Sequence, residues 1–308
     1  MYIVFDIGGT NVRYALSSNL DAPINHSFRK SFSKTGDPCS EVEKNICQVI
    51  EQYGEIEGIA ISLAANIDRS TGIVRTWSNN PCWNNYPFIG HLKEKFKVPI
   101  VVEDDANCGA MGEFYGLSCS SKNMVYISVG TGIGCGIIIN GELFVGDNGM
   151  AGELGHITIM QEEEMLLCGC GQVGCLQSSI SGKALLKQYN SNSNKCIETV
   201  KEVTDRALAG DTNAQHLLYL FKKKLIDVIY NLSMIFDIST FVIGGGVGTI
   251  NYDVFSEIEE VVNDRLKRFK KSLILYGSKF GEFSGIQGAF YLLSRYMEKV
   301  TDENYCSN

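Results

Sequence analysis

Three glycine-rich stretches, one run of acids and one knot of thiols stand out in this sequence. Gly8-Gly9 in VFDIGGTNVRYAL, Gly130-Thr131-Gly132-Ile133-Gly134 and Gly244-Gly245-Gly246 each follow a run of β-forming residues. Glycine admits positive φ and lets the backbone approach a ligand closely, so such turns aim several N–H groups at phosphate oxygens. One glycine pair is as readily a tight hairpin turn, whereas three in one chain favour phosphate binding. GxxxxGK[ST] is absent, and the one literal GxGxxG, at Gly169, Gly171 and Gly174, lies among cysteines. A P-loop or Rossmann nucleotide site is therefore disfavoured.

Glu103-Asp104-Asp105 ends the apolar run VPIVVE just where ANCGAMGEFYG begins to read as a helix. On pattern alone, three carboxylates there cap and solvate the helix N-terminus. The alternative use is as a general base. Cys168, Cys170 and Cys175 crowd into CGCGQVGC, with His156 upstream in AGELGH. In a chain with eleven cysteines, crowding alone is weak support for a metal. Thiolates and an imidazole on a glycine-rich loop nevertheless suit tetrahedral Zn²⁺.

The elements that must carry these groups follow from periodicity. YIVFDI, VRYALSS and INHSFRKSFS read as three strands separated by GGT and NLDAP turns. EVEKNICQVIEQYG spaces Val42, Ile46, Val49 and Ile50 at helical intervals, and GIAISL is a short buried strand. A polar, Trp-containing loop over 70–87 leads to the helix FIGHLKEKF and the strand VPIVVE. The pattern then restarts with NMVYISVG, TGIGCGIIIN and GELFVG, which implies two similar lobes. The longest helix is expected over 213–236, followed by the strand TFVIGGGVG and a helix near 251–270. GAFYLLSRYMEKV is a last helix, expected to pack back on the first lobe.

With 308 residues, 44% of them hydrophobic, the chain can bury a large core. A net charge of -8 argues against broad binding to nucleic acid or anionic membranes. No uninterrupted apolar stretch approaches the roughly 18 residues of a membrane span. MYIVFDIGG already reads as a strand, leaving no room for a secretory signal, so a cytoplasmic location with mostly free thiols is expected.

The motifs, in their order, resemble the ROK sugar kinases of the actin, hexokinase and Hsp70 superfamily. DIGGTN is similar to the first phosphate motif, ISVGTGIGCGII to the second and FVIGGGVG to the adenosine motif. STGIVRTWSNNPCWNNYPF, EDDANCGAMGEF, AGELGH and CGCGQVGCLQ also match, so the likeness runs from residue 3 to about 290. It implies an α/β fold of two RNase-H-like lobes around a central cleft. The expected division is a small lobe of 1–104 plus 286–308 and a large lobe of 105–285 carrying a zinc loop.

The resemblance implies that ATP and Mg²⁺ are held by Asp6, Gly8, Gly9, Thr10, Asn11, Gly130, Thr131, Gly132, Gly134, Gly244, Gly245 and Gly246. Asp105 becomes the catalytic base, and Asp6 brings the cation through water. Sugar contacts fall on Asn79, Asp104, Asp105, Glu153, His156 and Gln177, and structural Zn²⁺ on His156, Cys168, Cys170 and Cys175. A homodimer is implied by the same analogy, with a small sugar as substrate and neither nucleic acid nor membrane as partner.

This chain departs from the pattern at three places: Asp104 stands where the family usually has Asn, Gln177 where it has Glu, and Ala64-Ala65 where Pro-Gly is common. The reading is an ATP-dependent hexose kinase acting on the C6 hydroxyl, with glucose first because TWSNNPCWNNYPF is most similar to the glucokinase branch. The alternatives are a kinase for fructose, an N-acetylhexosamine or an amino-sugar, and a non-kinase, sugar-responsive regulator of the same family.

Overall fold

The computed structural model describes the chain from Met1 to Tyr305 except residues 9–10, 21–23, 25–26, 32–37, 78–80, 118–119, 160–165, 194–195 and 247–252. It comprises two compact units. The first is Met1–Gly116 with Val145–Met150 and Phe283–Asn308; the second is Leu117–Phe144 with Ala151–Glu282.

In the first unit, β1 (Tyr2–Ile7), β2 (Asn11–Ser17) and β3 (Ser27–Ser31) form an antiparallel meander. After α1 (Pro38–Tyr53), β4 (Gly58–Leu63) joins β1 in parallel. A small hairpin of β5 (Asn66–Asp68) and β6 (Ile73–Thr76) and the helix α2 (Phe88–Phe96) precede β7 (Ile100–Asp104), which pairs in parallel with β4. The sheet order is β3-β2-β1-β4-β7. β4 is buried at every residue, Ser62 included, as a strand between two parallel neighbours should be. Val42, Ile46 and Val49 of α1 pack beneath it, the face that the helical spacing predicts.

α3 (Asp105–Gly116) stays with this unit, so the division falls after Gly116 rather than at residue 104. The cause is its seam with the last helix. A Cβ on Gly112 would come 2.4 Å from the carbonyl oxygen of Ser284, and one on Gly288 only 1.6 Å from that of Cys108.

The second unit repeats the plan. β8 (Met124–Val129), β9 (Ile133–Ile139) and β10 (Glu142–Leu143) form the meander. Among the described residues the helices α4 (Leu176–Ile180), α5 (Gly182–Ser191), α6 (Val200–Leu208) and α7 (Thr212–Phe236) follow. β11 (Thr240–Gly244), α8 (Asp253–Leu266) and β12 (Ile274–Gly277) complete it, in the order β10-β9-β8-β11-β12. The chain then re-enters the first unit as α9 (Ser284–Tyr305), which packs on α3, β1, β4 and β7. One sheet topology built twice is the RNase-H-like α/β fold of the actin-like ATPases.

Two stretches differ from expectation. The polar loop over 70–87 contains β6 and a 3-10 turn, Pro81–Trp83, and buries both of its indoles. Trp77 and Trp83 meet edge to face at 5.0 Å, because apolar area of that size outweighs the polar residues around it. β12, α5 and α6 add to the elements that the sequence predicts; each is short, four, ten and nine residues. β12 has one strand neighbour, and α5 and α6 are capped locally by Ser181 and Thr199.

Candidate functional site

In the first unit three parallel strands end in register. Asp6 lies beside Ser62 and Ser62 beside Glu103; Ile7, Leu63 and Asp104 form the next row. Ligands of open α/β sheets bind at this carboxyl edge. Asp6 Oδ1 accepts a hydrogen bond from Ser62 Oγ at 2.8 Å, and Oδ2 is 3.2 Å from Arg13 Nη1.

The acidic run divides into three distinct tasks. Glu103 is buried and paired with Arg69, whose Nε donates to Oε2 at 2.8 Å while Nη2 donates to Oε1. Asn107 Nδ2 and the Asp104 N–H also donate to Oε1, at 3.0 and 2.8 Å. Asp104 is the N-cap of α3, its Oδ1 accepting from the N–H groups of Ala106 and Asn107 at 3.0 and 3.3 Å. Asp105, the first residue of α3, is exposed. The capping role thus belongs to Asp104, and Asp105 is the acid presented to solvent.

Cys108, buried one turn into α3, registers how much negative charge collects at this edge. Burial, then the charges of Glu103, Asp104, Asp6 and Asp105, push its thiol well above the ordinary value. Gly8 follows β1 and Asn11 opens β2. Gly9, Thr10 and Asn79 lie outside the described residues.

In the second unit the GTG turn joins β8 to β9, with Val129 paired to Ile133. The Gly130 N–H donates to the Gly132 carbonyl at 3.0 Å, and the Gly182 N–H at the start of α5 donates to the Gly130 carbonyl at 2.8 Å. Gly130, Gly132 and Gly134 avoid positive φ; what they supply is bareness. A Cβ on Gly132 would stand 3.0 Å from Gln177 Oε1, and one on Gly130 would meet nothing. Thr131 is exposed between them. Because β11 pairs with β8 at Gly244 and Ser128, the third glycine turn sits at the end of the adjacent parallel strand. Gly245 does need its freedom: its φ is +80°, and a Cβ there would come 2.5 Å from the Val129 carbonyl oxygen.

The thiols and imidazole do assemble. One ligand atom from each of His156, Cys168, Cys170 and Cys175 lies within 4.8 Å of all the others. Cys170 Sγ and Cys175 Sγ are 3.7 Å apart, near the roughly 3.8 Å that two sulfurs show around tetrahedral Zn²⁺ at about 2.3 Å each. His156 Nδ1 is 4.0 Å from Cys168 Sγ, and Nε2 lies 3.9 Å from Glu153 Oε2. Burial works against ionising Cys168, but hydrogen bonds led by the Cys170 N–H and the Gln177 amide bring its thiol below the ordinary value. Cys175 is pushed up to about 12, first by burial and then by the neighbouring thiols. Four donors of this softness fit a structural zinc.

Gln177 links this loop to the glycine turn. Its Nε2 donates to Cys168 Sγ at 3.2 Å and its Oε1 accepts from the Ile133 N–H at 3.5 Å. A carboxylate could not make the first of these bonds, which accounts physically for an amide beside a thiolate.

Arg69, Arg13 and Ser62 escaped the sequence reading. Arg69 and Ser62 act on carboxylates 34 and 56 residues away, and Arg13, inside the first glycine stretch, faces Asp6 through the β1–β2 register, so the fold rather than the motif reveals them.

The ROK family pattern matches residues 2–296. A glucokinase of Halalkalibacterium halodurans is 29% identical over 84% of this chain and 84% of its own length. An N-acetyl-D-glucosamine kinase of Histophilus somni is 28% identical over 96% of this chain and all of its own. A xylose repressor of Caldicellulosiruptor bescii is 31% identical over 73% of this chain and 59% of its own. Among solved structures, a ROK family glucokinase of Streptomyces griseus in complex with glucose and AMPPNP superposes with a TM-score of 0.79 at 26% identity, covering 94% of this chain and 98% of that one. Pattern, topology and cysteine loop agree: the chain belongs to the ROK family.

Proposed function

We propose that this protein is an ATP-dependent sugar kinase that transfers the γ-phosphate to the C6 hydroxyl of a hexose, glucose being the first candidate. The observation that carries the reading is the exposed Asp105 at the carboxyl edge of β1, β4 and β7. Its neighbours Glu103 and Asp104 are fixed by Arg69 and by the helix cap. In this role Asp105 accepts the proton of the sugar hydroxyl as that oxygen attacks phosphorus in line. The backbone of the Gly130–Gly132 turn and the glycines of 244–246 supply N–H groups and clearance for the nucleotide.

Asp6 is the residue that would bring Mg²⁺. Both its oxygens already have protein partners, Ser62 and Arg13, so it would act through water, and the ion when bound would supply positive charge beside the transferring phosphate. Zn²⁺ on His156, Cys168, Cys170 and Cys175 would fix the loop that carries Gln177. It would also set the His156 ring with Nδ1 inward and Nε2 toward Glu153, leaving His156 and Glu153 to meet sugar hydroxyls.

The glucokinase and N-acetylglucosamine kinase relatives are almost equally similar, so the sugar is settled by measurement. At Asp104 the cap engages Oδ1, a bond that Asn makes equally well. The Asp-for-Asn change adds a negative charge and puts an acceptor in place of an amide donor, which favours a sugar bearing an amine. An ADP-release assay over glucose, fructose, mannose, N-acetylglucosamine, N-acetylmannosamine and glucosamine tests the reading. Sugar-dependent ADP formation supports it, and none with any of the six sinks it. The similarity to a xylose repressor makes a sugar-responsive DNA-binding protein the rival, against which the net charge of -8 weighs.

A further inference from the structure

A second cluster of metal-binding side chains lies where α1 meets α2, away from every motif above. Cys39 and Glu43 stand one turn apart on α1, and His91 and Lys95 one turn apart on α2. Glu43 receives both residues of α2: His91 Nε2 meets Oε1 and Lys95 Nζ meets Oε2. Cys39 Sγ approaches the same Oε1 at 3.9 Å. The ligand atoms of Cys39, Glu43 and His91 all lie within 4.8 Å of one another. Their exposure is graded. Cys39 is 1% exposed, the Glu43 side chain 14% and the His91 side chain 42%, so the group opens to solvent on the His91 side alone.

We propose that Cys39, Glu43 and His91 form a second, three-ligand site for a transition-metal ion of the Zn²⁺ class, with water in the remaining position. The donor set selects the ion. A thiolate and an imidazole suit Zn²⁺ or Co²⁺, whereas Mg²⁺ and Ca²⁺ require oxygen cages that one carboxylate cannot supply. Lys95 takes the carboxylate oxygen opposite the one facing Cys39 and His91. It thereby orients Glu43 as a partner behind the ligand, and its positive charge makes the site weaker than the four-donor cluster. On binding, the Cys39 thiol releases its proton to solvent and the sulfur bonds the metal as thiolate, with no change of oxidation state. The bound ion ties α1 to α2 across the first unit. The cysteine loop at 168–175 would hold its metal closed, whereas this site would load and unload through its open side. The proposal does not depend on the kinase reading.

Equilibrium dialysis of the full chain against Zn²⁺ in excess Mg²⁺, with metal counted by mass spectrometry, tests it. Wild type is expected to hold one more zinc per chain than Cys39→Ser and one more than His91→Gln. Co²⁺ loading is expected to give a thiolate charge-transfer band that shrinks in Cys39→Ser. His91 is half-exposed, so its replacement is expected to leave the fold intact and the proposal stays testable even where Cys39→Ser fails to fold. Equal zinc content in wild type and His91→Gln overturns it, leaving an ion-paired contact between two helices.

Discussion

Arg69 closes on Glu103 with two of its nitrogens and turns the third, Nη1, to the carbonyl of Gly149 at 2.5 Å. One guanidinium thus fixes the strand end that presents Asp105 and the segment 145–150, which continues in sequence into Ala151-Gly152-Glu153. Burial opposes the charge on Arg69, but the bonds and charge of Glu103 outweigh it and raise its pKa, so the guanidinium stays charged. Arg69→Ala is expected to lower kcat by about ten- to a hundredfold, the cost of a small misplacement of reacting groups. Arg69→Lys should not restore it, because an ammonium cannot span both carboxylate oxygens and a carbonyl. Steady-state kinetics in sugar and in ATP check this; wild-type kcat in Arg69→Ala would remove Arg69 from the positioning of the site.

Asp105→Asn replaces the exposed acid by an isosteric amide that accepts no proton. The cap on α3 belongs to Asp104, so the helix should keep its start and the protein its melting temperature. Expected is a fall in kcat of about 10²- to 10⁴-fold with sugar affinity within a few-fold of wild type, read by turnover and calorimetric titration. Asp104→Ala should behave in the opposite sense, losing about 1 kcal/mol of stability with the cap. A variant Asp105→Asn that turns over normally assigns proton removal to another group.

β1, β4, β7, β8 and α7 were legible because apolar residues dominate them, and the glycine turns because composition alone marks them. The sharing of labour within Glu103-Asp104-Asp105 was not. Three adjacent carboxylates look alike in sequence, and only the partners reached by the fold, Arg69 across from β5 and the first N–H groups of α3, tell them apart. Gln177 shows the same limit. It was legible as a departure from the family, but its reason, donation to Cys168 Sγ, exists only once the cysteine loop is wound. The buried pair Trp77 and Trp83 was lost to the polar residues between them, since a period-based reading weights every position equally while burial weights area.

The four-donor cluster makes a prediction about metal. Cys170 is exposed and Cys175 fully buried, so Cys170→Ser removes a ligand with least disturbance to packing. Loss of one zinc per chain and a lowered melting temperature are expected, together with a weakened hold on Gln177 and hence on the GTG turn. Chelation of the wild-type protein should reproduce both effects and zinc should reverse them. A chelated, zinc-free preparation with unchanged melting and turnover would show that the loop needs no ion.

The seam between α3 and α9 rests on backbones in direct contact, and two glycine substitutions of opposite sign test it. A Cβ on Gly288 falls 1.6 Å from the carbonyl oxygen of Cys108, a main-chain atom that cannot swing aside. Gly288→Ala must therefore part the helices, at a cost of about 1–3 kcal/mol or more. Because α9 also packs on β1, β4 and β7, the displacement should reach the strand ends that hold Asp6 and Glu103 and lower activity along with stability. Gly90 in α2 is the control: a Cβ there meets nothing within 4 Å, and its φ is not left-handed. Gly90→Ala should instead gain about 0.5–1 kcal/mol from helix propensity, with turnover unchanged. Urea midpoints for the two variants against wild type decide the matter. If Gly288→Ala proves as stable as Gly90→Ala, the two helices do not touch as closely as their glycines indicate.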